Sequence, residues 1–149
     1  MRDDFSLIPI RERAAEIMRC NDVSERFGIK LTGNDALVLL AARDRALKVS
    51  GRVEFEKGAV EMLLKTFCDS PYLNQDNFTE AMEDIIEIFY GFKTDTLDLV
   101  DDAEAISLLK ELFDGECSGS TDTLRDEAGR AARKVRSGGN TGLEGIYDE

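Results

Sequence analysis

Histidine is absent from this 149-residue chain, and so is tryptophan. Without histidine the chain cannot build a Ser-His-Asp or Cys-His nucleophile system, and it has no imidazole ligand for a metal ion. Di-iron sites that use Glu-x-x-His motifs are excluded for the same reason. An enzyme made from this sequence would need Asp or Glu as its base, with Arg, Lys or Tyr as electrophilic partners.

Cysteines and long apolar runs are also scarce. The three cysteines are widely spaced and form no Cys-x-x-Cys pair, which favours free thiols in a cytoplasmic protein over a disulfide framework. No run reaches the ~18–20 apolar residues that a membrane span requires. Asp3 and Asp4 follow Arg2 with no long apolar core after them, so we expect no signal peptide. These features predict a cytoplasmic protein without a membrane partner.

Positive charge is scarce in the second half of the chain. The net charge is −12, and from Leu73 onward seven Lys and Arg face nineteen Asp and Glu. An acidic surface repels nucleic acid and anionic membranes, whereas it attracts a basic protein. A solvated face that only keeps the chain soluble would have the same composition.

What the chain does contain is a strong helical pattern over residues 74–93. The apolar residues of this segment recur with the 3.6-residue period of a helix that lies on a core, and they are Phe78, Met82, Ile85, Ile86, Phe89 and Tyr90. Its other face is acidic and carries Glu80, Glu83, Asp84 and Glu87. Such a helix must be covered by others.

Similar patterns predict helices over residues 6–20, 31–49 and 57–68, and two more that begin near Asp101 and at Ser120 or Thr121. The predicted N-caps are Thr32 (with Asp35 in the first turn), Asn74, Asp101 and either Ser120 or Thr121. In the helix predicted over residues 31–49, we expect an inward face made of Leu37, Leu40, Ala41 and Leu47. Residues 52–56 alternate polar and apolar, which predicts either a short strand or, more simply, a connector that inserts Val53 and Phe55 into the core. The fold class is therefore all-α: a single-domain bundle of about five to seven helices over residues 1–137, with a flexible tail over residues 138–149.

Metal, calcium and phosphate motifs are weak or missing. No start between Asp95 and Glu111 places a glycine and a glutamate correctly for an EF-hand, and no phosphate-binding glycine loop exists. The four carboxylates of the acidic helix face could bind Mg²⁺ or Mn²⁺, but a solvated face has the same sequence. Cys68 follows a helix and precedes Asp69, and both raise the pKa of a thiol. We expect no metal, no cofactor and no reactive cysteine.

One set of polar residues flanks the points where the helices turn back, and it is the candidate binding site. Its members are Arg52, Glu54, Asp69, Ser70, Tyr72, Tyr90 and Lys93, with Arg43 nearby. They could form a pocket for a small ligand, or they could pair charges inside the bundle.

Several segments also resemble an uncharacterised family of small bacterial proteins over roughly Leu31 to Leu124. The resemblance rests on four segments, residues 51–55, 67–72, 89–93 and 101–102. It implies a bacterial cytosolic protein, and it implies no activity, cofactor or partner.

Two functions from different classes therefore remain. The first is a non-enzymatic interaction or adaptor protein that binds a basic protein through its acidic half. The second is an enzyme or ligand-binding protein that uses Arg52, Glu54, Asp69 and Tyr72. Mimicry of nucleic acid by the acidic face is a third and weaker idea. A homodimer is possible, and an exposed aromatic strip at Phe89, Tyr90 and Phe92 would indicate one.

Overall fold

The computed structural model describes residues 12–54 and 58–138, and these residues form helices and turns with no strand among them. Residues 12–18 are helical (α1), and a 3₁₀ turn, Glu25–Phe27, follows α2. The remaining bounds are Asn21–Ser24 (α2), Gly33–Ser50 (α3), Ala59–Phe67 (α4), Phe78–Asp95 (α5), Asp102–Asp114 (α6) and Thr121–Gly138 (α7). The all-α prediction is confirmed. The predicted tail begins at Gly138, which is the last residue of α7, and its remaining residues 139–149 lie outside the described residues. Residues 6–11 and 55–57, which belong to other predicted segments, also lie outside them.

Helix α5 is the centre of the packing. It contacts α3, α4, α6 and α7, and α4 and α6 also pack on each other. All six residues of the predicted apolar stripe are at most 1% exposed, so the burial of this helix is confirmed. Its first residue is Phe78 and not Asn74, because the Asn74 side chain accepts hydrogen bonds from the N–H groups of Asp76 and Asn77 and closes a separate turn.

Capping residues fix where the helices begin. At the start of α3, the Thr32 hydroxyl accepts from the Asp35 N–H at 3.1 Å and the Asp35 carboxylate accepts from the Thr32 N–H at 2.9 Å. Asp101 accepts from the Glu104 N–H at 2.8 Å before α6, and Ser120 caps α7. These side chains satisfy backbone N–H groups that have no partner within the helix, so the caps predicted at Thr32, Asp101 and Ser120 are confirmed. The cap predicted at Asn74 was wrong, because the residue before α5 is Asn77.

The predicted inward face of α3 was wrong at two positions. Leu37 is 49% exposed and Ala41 is exposed, while the buried stripe runs through Ala36, Leu39, Leu40, Arg43, Ala46 and Leu47. The physical reason is Arg43, a charged residue that is only 7% exposed because its guanidinium is paired with Glu54. A pattern of apolar residues alone could not include it.

The connector after α3 also differs from the prediction. Val53 was expected in the core, but it is 74% exposed. Its neighbour Glu54 turns inward to bind Arg43 and Tyr90, and this leaves Val53 facing solvent. Residues 52–54 form no strand, as the connector interpretation predicted.

Candidate functional site

Glu54 joins two helices through a part-buried polar cluster. Its carboxylate accepts a hydrogen bond from the Arg43 Nε at 2.9 Å and from the Tyr90 hydroxyl at 2.8 Å. Burial raises the pKa of Tyr90, and the negative charge of Glu54 raises it further. Burial alone would lower the pKa of Arg43, but the charge and hydrogen bond of Glu54 outweigh burial and raise it. Two candidate residues, Glu54 and Tyr90, and the neighbouring Arg43 are thus bound to one another.

Arg52 and Lys93 belong to a second polar cluster at the C-terminal ends of α3 and α5. Arg52 donates two hydrogen bonds to Asp98, at 2.7 and 3.1 Å, in the bidentate geometry that favours Arg–carboxylate pairs. The hydrogen bond from Arg52 lowers the pKa of Asp98. The buried Lys93 ammonium donates to the Val100 carbonyl at 2.5 Å and lies 2.9 Å from Asp102. This cluster fixes the connection between α5 and α6.

Asp69, Ser70 and Tyr72 form a third group at the other side of the bundle, after α4. The Lys110 ammonium lies 2.8 Å from Asp69 and 2.7 Å from Asp114, and Ser70 donates to Asp114 at 2.7 Å. Burial would lower the pKa of Lys110, but these two carboxylates raise it. Lys110 also lines a shallow open depression. Because Asp69 and Asp114 already compensate its charge, it would bind an anion only weakly.

Tyr72 packs its ring edge-on against Phe113, with centroids 6.3 Å apart. A Cβ placed on Gly119 would lie 2.5 Å from the Tyr72 Cβ, so only glycine fits opposite this tyrosine. Tyr72 therefore acts as a packing residue of the turn between α6 and α7. The seven candidate residues consequently divide among separate clusters, each engaged with its own partners.

The three cysteine thiols lie inside the helical bundle. Burial raises the pKa of Cys20 and of Cys117 to about 11 in each case. For Cys68, burial is again the largest cause of a raised pKa, followed by the charge of Asp69. All three cysteines are free and buried. The thiolate, which is the nucleophilic form, is therefore disfavoured at neutral pH.

The connection between α5 and α6 holds two leucines in solvent, which the sequence pattern did not reveal. Leu97 is 71% exposed and Leu99 is 64% exposed. The Leu97 N–H donates to the Thr94 carbonyl at 3.0 Å and the Asp98 N–H donates to the Lys93 carbonyl at 2.9 Å. These two bonds form the Schellman motif that ends many helices, whose first residue past the cap is usually glycine.

In this motif Leu97 stands in the glycine position. Its φ is +57° and that of Asp98 is +59°, both in the left-handed region. For a residue with a Cβ, that conformation is unfavourable by about 1–2 kcal/mol. The Arg52–Asp98 pair and the Lys93–Val100 bond hold the strained turn in place.

A groove runs over the outer side of α5, between α3 and α7, and encloses about 260 Å³. Helix α3 contributes Ala46, Val49 and Ser50 to its walls, and α7 contributes Arg125, Ala128 and Gly129. Helix α5 forms its floor with Glu87, Ile88, Gly91, Phe92 and Asp95. We call this feature the α5 groove. No residue of the predicted candidate set lines it.

The acidic face of α5 is partly covered by the basic helix α7. Arg125 lies 3.1 Å from Glu87, and the Thr121 hydroxyl donates to Asp84 at 3.2 Å. The segregation of charge along the sequence is thus reduced in the folded chain. Exposed carboxylates also lie in and beside the connection between α5 and α6, at Asp95, Asp98, Asp101 and Glu104, although Asp98 is paired with Arg52.

Two further findings bear on metal and membrane binding. Among residues 12–54 and 58–138, no group of three or more Asp, Glu, Cys or His side chains is placed to hold a metal ion. No helix in those ranges is both long enough and apolar enough to cross a membrane.

Comparison with models of protein families places this chain in a family. The model of a family of unknown function, DUF6323, matches residues 16–141, which extends beyond the region of the resemblance seen in the sequence. Searches of curated proteins and of solved structures each found no match. Because the match spans most of the chain, from α1 to beyond α7, this protein belongs to DUF6323, a family of unknown function.

Proposed function

We propose that this chain is a non-enzymatic protein-binding module, an adaptor that contacts a basic partner through its acidic second half. The observation that carries the proposal is Leu97. This side chain is exposed, and it occupies a left-handed position that glycine would fill at lower free energy. A strained residue held by surrounding bonds is more often found at a functional surface than in an ordinary turn.

The surroundings of Leu97 support a protein partner with positive charge. Leu99 lies two residues on, and Val53 adjoins Arg52, whose pairing with Asp98 brings the connector to the same surface. Exposed apolar side chains grouped in this way are typical of protein interaction sites. The cations of the cluster are paired, and Lys93 is buried, so the charge left on the surface is that of the carboxylates. The same charge disfavours nucleic acid.

An enzyme or small-ligand function built on Arg52, Glu54, Asp69 and Tyr72 receives less support. Glu54 already accepts hydrogen bonds from two side chains, and Asp69 is paired with Lys110 on another part of the bundle. A base that must take a proton from a substrate needs a free lone pair within reach of it. The free and buried thiols are those of a reducing compartment, which favours the bacterial cytoplasm as the site of the interaction.

The test is capture of a partner with matched variants. The full chain is immobilised, exposed to native lysate of its source at low and moderate salt, and compared with the variant Leu97→Gly. Glycine suits the left-handed position, so this variant stays folded while it loses the exposed side chain. Leu37→Ser is the control, because Leu37 is a half-exposed leucine on the outer face of α3.

We expect a protein that Leu37→Ser retains, that Leu97→Gly loses by at least about tenfold, and that moderate salt weakens. Retention that is equal in both variants, or that ignores ionic strength, would show that this surface is not the binding site. If the chain sediments as a dimer and Leu97→Gly dissociates that dimer, the surface binds a second copy of this chain and the proposal of a basic partner is wrong. The aromatic strip that would have indicated a dimer is buried, since Phe89, Tyr90 and Phe92 are at most 2% exposed.

A further inference from the structure

We infer that the α5 groove is the docking site for one amphipathic, basic helix of the partner protein. This inference rests on the proposed protein-binding function and adds the place and the form of the contact. It starts from a glycine, Gly91, in the interior of α5 and at the floor of the groove.

Among residues 12–54 and 58–138, no side chain or backbone atom packs closely enough to require a glycine at position 91. A Cβ added there would meet no heavy atom within 4 Å beyond its own helix, and its φ is not in the left-handed region. Glycine in a helix interior is less favourable than alanine by about 0.5–1 kcal/mol. Gly129 of α7 lines the same groove, and the nearest atom to its added Cβ is the flexible tip of Arg133 at 3.7 Å. These two glycines keep the groove open, and within residues 12–54 and 58–138 only the tip of Arg133 would come near an added Cβ at either position.

The size and the openness of the groove favour protein side chains over a small molecule. Its volume of about 260 Å³ is below the roughly 300–1,000 Å³ of most small-molecule pockets. Small and apolar residues, including Ala46, Ala128 and the 88% exposed Val49, make much of its walls. Such walls accept the apolar ridge of a helix, and small residues allow close approach of the two backbones.

The exposed carboxylate of Asp95, at one end of the groove, favours a basic helix over an acidic one. Glu87 and Asp95 are eight residues apart on α5, a separation of about 12 Å along a helix axis. Lys or Arg side chains seven or eight residues apart on a partner helix span about the same distance. Arg125 already neutralises Glu87, so Asp95 carries the greater uncompensated charge. Asp95 also borders the exposed turn at Leu97, which makes the groove continuous with the proposed binding surface.

The other occupants fit less well. Residues 139–149 of this chain contain Glu144, Asp148 and Glu149 and no Lys or Arg, so their charge opposes that of the groove. A second copy would have to present its own basic helix α7, whose exposed side chains include Arg130, Arg133 and Lys134 and are polar. A separate protein with an apolar and basic helix satisfies both the walls and the ends.

The experiment uses a defined probe and a space-filling variant. The probe is a synthetic 18-residue helical peptide of Leu and Lys, with a second peptide that has Glu in place of Lys. Each is titrated into the ¹⁵N-labelled full chain, and amide spectra and fluorescence anisotropy are recorded. In Gly91→Leu the added side chain occupies the open space of the groove. Gly91→Ala is the matched control, because it adds only a Cβ. Thermal unfolding of both variants confirms that they are folded.

We expect the Lys peptide to move the amide signals of Gly91 and Gly129 while those of Gly51 and Gly119 stay unchanged. Gly91→Leu should weaken its affinity at least tenfold, Gly91→Ala less than threefold, and the Glu peptide should not bind. Unchanged affinity of Gly91→Leu overturns the groove as the site. If Leu97→Gly loses the peptide in that case, the proposed function stands and only the groove is wrong. Shifts at Gly91 that appear on concentrating the chain without peptide assign the groove to a second copy and also overturn the inference.

Discussion

The Tyr90 hydroxyl donates to Glu54 at 2.8 Å, and this bond ties the central helix to a connector that follows α3 in sequence. Arg43 binds the same carboxylate from α3 at 2.9 Å. Both partners are nearly inaccessible to solvent. One carboxylate on a connector thus satisfies a guanidinium and a phenol that the fold has buried.

Replacing that carboxylate should destabilise the chain strongly. Glu54→Ala leaves the guanidinium of Arg43 buried without its partner, and we expect a loss of about 3 kcal/mol in the free energy of unfolding. Urea unfolding followed by circular dichroism measures it. The double variant Arg43→Met/Glu54→Ala should be more stable than Glu54→Ala, because it no longer buries an unpaired charge. Equal stability of the two variants would contradict this account of Arg43.

The Tyr90 phenol should make the chain sensitive to alkali. Its pKa in the folded state is raised above the ordinary value of 10.0, so the folded state holds the proton where the unfolded state has lost it. The stabilisation is complete below pH 10 and decreases as the pH rises above 10. We expect urea midpoints to fall between pH 10 and 11 more steeply for the wild type than for Tyr90→Phe. Parallel slopes for the two proteins would refute the raised pKa.

Gly119 should tolerate no side chain. The Cβ of Gly119→Ala would lie 2.5 Å from the Tyr72 Cβ, an atom fixed to the backbone, and φ at this position is +83°. We expect a loss of at least about 2 kcal/mol in unfolding free energy. Gly51→Ala is the control, because φ there is +68° but the space around it is open. Gly51→Ala should lose only about 1 kcal/mol of unfolding free energy. If it loses as much as Gly119→Ala, backbone strain at positive φ explains both losses and the clash with Tyr72 adds nothing.

Leu97→Gly should raise the stability of the chain. Glycine removes the Cβ from the left-handed position at the end of α5, and the gain should be about 1 kcal/mol. Thermal unfolding measures it, with Leu99→Gly as the control, since Leu99 lies outside the pair of residues with positive φ. A lower melting temperature for Leu97→Gly than for the wild type would show that the leucine stabilises the turn by contacts that its exposure hides.

The cysteines should react only after unfolding. All three are buried with raised pKa values, so we expect no thiol to react with Ellman's reagent within minutes at pH 8 in the native chain. Denaturant should release three thiols for each chain, and Cys117→Ser should release two. Fast reaction of a native thiol would indicate local opening around it.

Much of the fold could be predicted because helix signals are local. The period of the apolar residues in α5, the Thr32–Asp35 capping box and the Asp101 cap each depend on residues a few positions apart. The boundary at Asn74 was wrong because an asparagine closes a turn and begins a helix by the same hydrogen bonds, to N–H groups two or three residues on.

The amino-acid sequence by itself determined the helical class, the burial of the central helix and the absence of histidine chemistry, because composition and short-range periodicity suffice for them. Only the tertiary structure decided which polar residues meet. Glu54 turns inward and Val53 outward because Arg43 and Tyr90 are there to bind the carboxylate, and those partners are 11 and 36 residues away in the chain. The strained turn at Leu97 is held by Arg52, which is 46 residues from its partner Asp98. The groove over Gly91 arises from the packing of α3, α5 and α7, which no local pattern encodes.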